Sequence, residues 1–391
     1  MKRILIPLFL CFQTLFASIQ EYKLNDTPVI VCDDFFLPIA KVGVFYSVGL
    51  NHFKNICEAK IIREKFLNKK SKMTAKNLGI QTDFDVYDDF SEISATVSNN
   101  QIADILKIIS DNEFDVENLE LTKDKLRITH KLSEYFETNI TKNEIYAMIN
   151  SKRIFNQSIF DQFTKNDLKN YFDLFKKSPK IIVICGKLDL EKLAEELALK
   201  KSSFDKKNTT QSAGFVRKNI EIRSKFLGRS LCYVYQNPNI TKNRDAVLAV
   251  IDNEMFDYFK KYSQIVDSYY FTNLSQPNFL MLGVRVRRDV SKKSFESALK
   301  GFFDYLKRAN FSKEKLESIS KTEKFSEIDA DENIHAKYQK IVNQYVFCTR
   351  SLENLSAEIL KISSEDIKNF AEEVFENNVI ARISTQYRAE S

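Results

Sequence analysis

The sequence predicts an α+β protein with two homologous domains, each a mainly antiparallel sheet with helices packed on one face. First, short apolar runs typical of strands alternate with amphipathic segments typical of helices in both halves. Second, a capped helix followed by an apolar strand closes each half, which indicates an internal repeat. Third, a chain of 391 residues that is 43% hydrophobic and 29% charged is typical of a folded protein with two domains or one large one.

The N-terminal segment 1–17 is predicted to be a secretory signal peptide. Lys2 and Arg3 precede an apolar run over 4–16, which is too short to span a bilayer, and the small residue Ala17 follows. We expect cleavage after Ala17, export to the periplasm and no stable membrane insertion of the mature chain. The alternative is that the segment stays attached as an uncleaved anchor.

The first domain is predicted to cover 18–203. Its strands and helices follow from apolar periodicity, and we expect strands at 28–32, 39–48 and 92–97 and helices at 55–67, 101–109 and 116–138. The lysine-rich run 68–72 is interpreted as a solvated loop. A polar segment, 200–212, is predicted to link this domain to the next.

The second domain is predicted to cover 204–391 and to repeat this plan. We expect strands at 230–235 and 279–287 and helices at 245–262, 294–308 and 313–327. The closing helices of the two halves carry matching N-cap signals, Thr164 with Asp167 and Ser363 with Asp366. Each is followed by an apolar strand, so the repeat indicates duplication.

Composition excludes several functions. The chain has only eight glycines and neither phosphate-binding glycine motif, which excludes nucleotide binding through those motifs. A net charge of +6 without a basic stripe interleaved with aromatic residues predicts no nucleic-acid partner. No serine-nucleophile motif of the G-x-S-x-G type is present.

The predicted mature chain holds an odd number of cysteines, none of them in a C-x-x-C pair: Cys32, Cys57, Cys185, Cys232 and Cys348. Cys185 and Cys232 lie in apolar, strand-like runs, where a buried thiol is the favoured interpretation. One disulfide is compatible with this set, but the sequence does not identify the pair.

Three segments carry a resemblance to a known family. The opening strand at 22–31, the strand at 41–49 that leads into a helix, and the strand–loop at 236–240 follow one another in the order found in the insulinase/pitrilysin-like metallopeptidases. The chain resembles their processing-peptidase branch in particular. The resemblance implies the duplicated α+β fold and a half-length member of the family.

Active members carry H-x-x-E-H on the helix after that second strand, and the two His and a later Glu bind zinc. This chemistry needs three fixed ligands, an open position for water and a base beside that water. The matching stretch here places Lys60 and Glu64 at the two His positions and Arg63 at the Glu position. The resemblance therefore implies a member without a zinc site, with no catalytic residue and no cofactor in this chain.

A metal site rebuilt from His52, Glu58 and His130 is a weak fallback. A solvated loop His and a His on a helix surface or interface are the favoured interpretations of His52 and His130.

Active members also use an Arg and a Tyr of the second domain to contact the substrate. Lys260 lies at the Arg position, and Tyr269 and Tyr270 lie slightly beyond the Tyr position. The alternative is that Lys260 is solvated and that the tyrosines pack in a strand.

These observations lead to one functional expectation and two rivals. We expect an exported, non-catalytic half of a peptidase heterodimer, which binds extended peptides and pairs with a zinc-bearing subunit of the same family or with a second copy of itself. The first rival is a peptide-binding or structural scaffold without a peptidase partner. The second is an active metallopeptidase with a rebuilt metal site.

Overall fold

The computed structural model describes eleven stretches of the chain: 18–33, 39–133, 151–203, 218–224, 229–236, 244–264, 266–275, 278–286, 291–347, 355–377 and 379–387. The predicted signal peptide lies outside the described residues. The part of the predicted linker beyond 203 also lies outside them, as does residue 348. None of the helices in these stretches has both the length and the apolar content that crossing a bilayer requires.

The strands of the described residues form one seven-stranded and one five-stranded sheet. Their bounds are β1 Ser18–Leu24, β2 Thr27–Asp33, β3 Ile39–Tyr46, β4 Gln81–Val86, β5 Ser91–Ser98, β6 Lys180–Gly186, β7 Lys200–Lys201, β8 Lys218–Ser224, β9 Arg229–Gln236, β10 Val266–Ser275, β11 Asn278–Val286 and β12 Val379–Tyr387.

Five strands follow the same order in the two sheets, and the first sheet adds β1 and β7 at one edge. The first runs β4-β5-β3-β6-β2-β1-β7 and the second runs β10-β11-β9-β12-β8. In each sheet the strand that closes the half pairs in parallel with the half's early strand, β6 with β2 and β12 with β8. The other pairs are antiparallel. The predicted α+β class is confirmed.

The helices pack around these sheets. Their bounds are α1 Ile56–Lys65, α2 Lys69–Asn77, α3 Ile102–Ser110, α4 Leu119–Ser133, α5 Gln157–Gln162, α6 Lys165–Lys177, α7 Leu190–Glu196, α8 Arg244–Lys261, α9 Lys292–Arg308, α10 Lys313–Glu332, α11 Ile334–Tyr345, α12 Leu355–Ile359 and α13 Ser364–Phe370. The predicted caps form, because Thr164 and Ser363 each accept the N–H of the aspartate three residues on.

Strand alternation gives the first sheet two buried faces. Along β3, Val42 and Val44 point into a core shared with the helices of the first half, whereas Phe45 points to the opposite face. That opposite face is covered by α11 of the second half, which contributes Ile341 and Val342. The packing of α11 therefore joins the two halves.

A polar network lies inside this contact. The Tyr338 hydroxyl of α11 donates to Glu92 Oε1 at 2.6 Å, and the Tyr87 hydroxyl donates to Glu92 Oε2 at 2.9 Å. Burial raises the pKa of Glu92, while these two hydrogen bonds act against that shift. Gly43 leaves room for the ring, because a Cβ there would lie 1.7 Å from the Tyr338 hydroxyl oxygen.

Two local interpretations of the sequence are wrong. The lysine-rich run at 68–72 is not a loop, since Asn68 caps α2 by accepting the Ser71 N–H and the run continues as its first turn. The start of the predicted linker is not free chain either, because Lys200 and Lys201 pair with β1 as the short strand β7.

Candidate functional site

Helix α1 is fixed at its start by an asparagine. The Asn55 side chain accepts the Cys57 N–H at 3.1 Å and donates to the Ile154 carbonyl at 2.7 Å. The second bond ties the helix to the segment before α5, so the beginning of α1 is held from two sides. One face of the helix is buried in the core, and another approaches α4.

The first implied ligand position is filled by a stacked cluster. Lys60 Nζ lies 5.6 Å from the centre of the Phe155 ring, and the His130 ring of α4 stacks on the same ring at 4.0 Å. Burial lowers the pKa of Lys60. The cluster is a cation–π and aromatic contact that joins α1 to α4 and to the segment before α5.

The second implied ligand position is occupied by an ion pair. Glu64 Oε2 lies 3.0 Å from Lys125 Nζ of α4, and both side chains are partly exposed. Arg63, at the position of the base, is exposed. A lysine and an arginine at these positions repel a divalent cation, and the remaining carboxylate is already paired with a lysine.

The fallback residues are engaged in separate contacts. His52 accepts the Gly49 N–H through Nδ1 at 3.1 Å. Glu58 is buried and accepts from the Lys54 N–H and from the Tyr171 hydroxyl, each at 2.7 Å. Among the described residues, no three His, Cys, Asp or Glu side chains group as metal ligands, so the structure does not bring His52, Glu58 and His130 together as a site. The described residues of this region do not fit zinc.

The predicted substrate-binding residues lie at the end of α8 and on β10. Lys260 is exposed and its Nζ lies 6.0 Å from the Phe256 ring. Tyr269 is half-buried, with its ring 5.8 Å from the Phe259 ring, and burial raises its pKa. Tyr270 follows in β10 and pairs with Gly283 of β11. The substrate-binding role of these residues stays a prediction.

An apolar stripe flanks the ion pair on α4. Leu121, Ile128 and Leu132 are each more than half exposed, and Lys125 lies on the same face between them. The contact between α1 and α4 therefore carries one charged pair and borders an exposed apolar surface.

Two residues of this contact were not predicted from the sequence, Phe155 and Lys125. Neither lies in a motif, and both are far along the chain from α1. Phe155 follows the short 3₁₀ helix Ser151–Arg153 and carries no signal of its own. Lys125 lies in a predicted amphipathic helix, and only the packing of that helix against α1 brings it to Glu64.

Solved structures with a similar fold include a protease and an inactive peptidase domain. A protease from Helicobacter pylori superimposes with a TM-score of 0.77 at 10% identity, covering 95% of this chain and 99% of that chain. A peptidase M16 inactive domain from Pseudomonas fluorescens gives 0.72 at 14% identity, covering 96% and 99%. A chain of complex III2 from Candida albicans gives 0.67 at 15% identity, covering 95% and 96%.

This chain has the fold of the M16-like peptidases. No protein-family model matches its sequence, and a search of curated proteins finds no match either. The M16-like fold includes an inactive domain among its solved examples. At these identities, the structural similarity concerns the fold and not the activity.

Proposed function

We propose that the protein is an exported, non-catalytic M16-like subunit that forms one half of a peptidase heterodimer and helps to enclose extended peptides. The observation that carries the proposal is the contact between α1 and α4. There, Lys60 stacks with Phe155 and Glu64 pairs with Lys125, and Lys60 and Glu64 are the residues that the family resemblance implies at the two His positions.

The fold supports a role that does not need catalysis. Lys60, Arg63 and Glu64 lie outside the fully buried positions of α1, so the metal ligands of an active member are separable from the packing of the helix. A chain that lacks them keeps its sheets, its helix packing and its outer surfaces. Such a chain can still supply half of an enclosing wall.

The first sheet offers an edge for an extended peptide. Strand β4 pairs with β5 on one side, ends the described sheet on the other, and lies against α1. Phe84 is buried, whereas Asp83 and Asp85 are exposed, so β4 shows the alternation of a half-buried strand. A peptide added to this edge would be held mainly by main-chain hydrogen bonds, which depend little on its sequence.

Peptides with blocked amides test this mode of binding. We expect an unstructured peptide to bind the mature protein in a fluorescence anisotropy titration. Only one of two alternately N-methylated versions should lose affinity, because alternate amides of an added strand face the sheet. Equal binding by both methylated peptides would contradict addition to the edge, and no binding of the parent peptide would contradict peptide enclosure.

The partner is tested by native co-purification from the host. We expect the tagged mature chain to retain a zinc-bearing M16-like subunit of similar size. Recovery of a homodimer alone would mean that the chain pairs with itself and not with a zinc-bearing subunit, and would contradict the heterodimer.

A second candidate function is a structural subunit without a peptidase partner. The similar chain in complex III2 from Candida albicans favours it, because that chain belongs to a larger assembly. Co-purification with a multi-subunit assembly, together with the absence of peptide binding, would favour this alternative over the heterodimer.

A further inference from the structure

Two cysteines lie side by side in the first sheet. Strands β2 and β6 are parallel neighbours, and their register pairs Cys32 directly with Cys185. Both belong to the cluster on the α11 face of the sheet, so their side chains point to the same side. The chain between them includes most of the first half, and only the folded sheet brings them together.

Both residues are thiols in the structure, and the Cα spacing of their strands lies within the disulfide range. Neighbouring strands lie about 4.8 Å apart, and disulfides accept Cα separations of about 4.4–6.8 Å. Because disulfides also need Cβ atoms about 3.5–4.5 Å apart, the bond requires the two strands to draw slightly closer. Cys57, the third cysteine with a described side chain, belongs to the core on the opposite face of the sheet.

Burial determines when such a bond can form. Cys32 is 1% exposed and Cys185 is 0% exposed, because α11 covers this face of the sheet. An oxidant reaches the two thiols only before α11 packs, that is, during folding. Once the helix is in place, the bond is shielded from reductants in the same way.

We propose that Cys32 and Cys185 are joined by a disulfide in the exported protein. A disulfide of an oxidising thiol–disulfide oxidoreductase accepts the attack of one cysteine thiolate, which gives a mixed disulfide. The second thiolate then attacks the bound cysteine sulfur and releases the reduced oxidoreductase. The two cysteine thiols lose two protons and two electrons, and the oxidoreductase disulfide becomes a dithiol. The bond covalently links the neighbouring strands β2 and β6 of the first sheet.

Peptide mapping of the protein from its own host tests the bond. The mature protein is alkylated at once under denaturing conditions and digested without reductant, and its N-terminus is determined by mass. We expect a linked peptide that contains Cys32 and Cys185. Alkylated thiols at both positions, or a link from either to another cysteine, would overturn the proposal.

The N-terminal mass separates this inference from the export on which it depends. A chain that begins at Ser18 with both thiols alkylated would overturn the disulfide and leave export intact. A chain that retains residues 1–17 with both thiols alkylated would overturn the disulfide and the predicted cleavage after Ala17.

Variants give an independent readout of the bond. In urea titrations, reductant should lower the unfolding midpoint of the wild type. Cys32→Ser and Cys185→Ser should unfold at that lower midpoint even without reductant, and reductant should not shift it further. Cys57→Ser, the matched control, should keep the response of the wild type. A response retained in Cys32→Ser would contradict the pairing.

Without denaturant, the wild-type bond should resist reductant, and its rapid reduction would contradict burial beneath α11.

Discussion

Helices α1 and α8 occupy corresponding places after β3 and β9, and they bury the same positions. Each buried residue of α1 corresponds to a buried residue of α8 in the same order along the helix: Cys57 and Ala246, Glu58 and Val247, Ala59 and Leu248, Ile61 and Val250, Ile62 and Ile251, Lys65 and Glu254. The implied zinc positions fall between these buried ones. Packing and metal binding therefore use separate residues, so the metal motif can be absent without loss of the fold.

The two helices differ in the charges they bury. Lys65 of α1 donates to Asp115 at 3.2 Å, whereas the corresponding Glu254 of α8 pairs with Lys315 at 3.0 Å and accepts from the Tyr305 hydroxyl at 2.5 Å. The charge is reversed, but each buried group has a partner. At the same depth, α1 also buries Glu58 where α8 has the apolar Val247.

The largest expected effect is at the buried carboxylate of α8. Glu254→Ala leaves Lys315 paired with Asp257 alone, removes the acceptor of the Tyr305 hydroxyl and leaves a void where the buried side chain was, so we expect the free energy of unfolding to fall by about 3 kcal/mol. Urea unfolding followed by circular dichroism measures the change. The pKa of Lys315 reflects the same contacts. Partial burial lowers this pKa, but hydrogen bonds to Asp257 and Glu254 raise it to about 12.

The matched control is the exposed Glu64–Lys125 pair at the contact between α1 and α4. Glu64→Ala removes the partner of Lys125, but both side chains are partly exposed, so we expect a loss within about 1 kcal/mol. Equal losses in the two variants would contradict the difference in burial between the two helices.

A smaller effect is expected when the buried Glu58 of α1 is replaced by valine, the residue at the corresponding position of α8. Glu58→Val leaves the Lys54 N–H and the Tyr171 hydroxyl without their acceptor, so we expect a loss of about 1–3 kcal/mol in urea unfolding. The double variant Glu58→Val/Tyr171→Phe should recover part of it, because it removes one of the orphaned donors. A fully neutral Glu58→Val would show that this carboxylate plays no part in holding α1.

The smallest effect is expected at the stacked lysine. Burial lowers the pKa of the Lys60 amine, so the folded state binds the amine proton less tightly than the unfolded state does. The free energy of unfolding of the wild type therefore rises with pH, from the lowered pKa up to the ordinary value of 10.5. Lys60→Ala, which copies Ala249 of α8, should remove that rise. Urea midpoints of the two proteins between about pH 8 and 10.5 measure it. Parallel curves would contradict the burial of the amine.

Much of the fold is predictable because local patterns agree with the final packing. The predicted helix at 101–109 corresponds closely to α3, since its apolar residues recur with helical spacing and are the buried ones. The predicted helix at 245–262 and the strand at 230–235 also correspond closely to α8 and β9. The caps at Thr164 and Ser363 are also visible in the sequence, because a cap needs only residues three apart.

The rest depends on contacts between distant segments. The packing of α11 on the first sheet was not predicted, because its apolar face gives no sign of which sheet it covers. The pairing of Cys32 with Cys185 depends on the strand order and not on local sequence. The absence of histidines from α1 was visible in the sequence, but Phe155 and Lys125, which contact this helix, come from segments that only the tertiary fold brings to it.

The most direct test of the account is the metal content and native mass of the mature protein purified from its own host. We predict a zinc-free chain that travels with a second, zinc-containing subunit of similar size. Stoichiometric zinc in the isolated chain would contradict the account and would direct attention back to His52, Glu58 and His130.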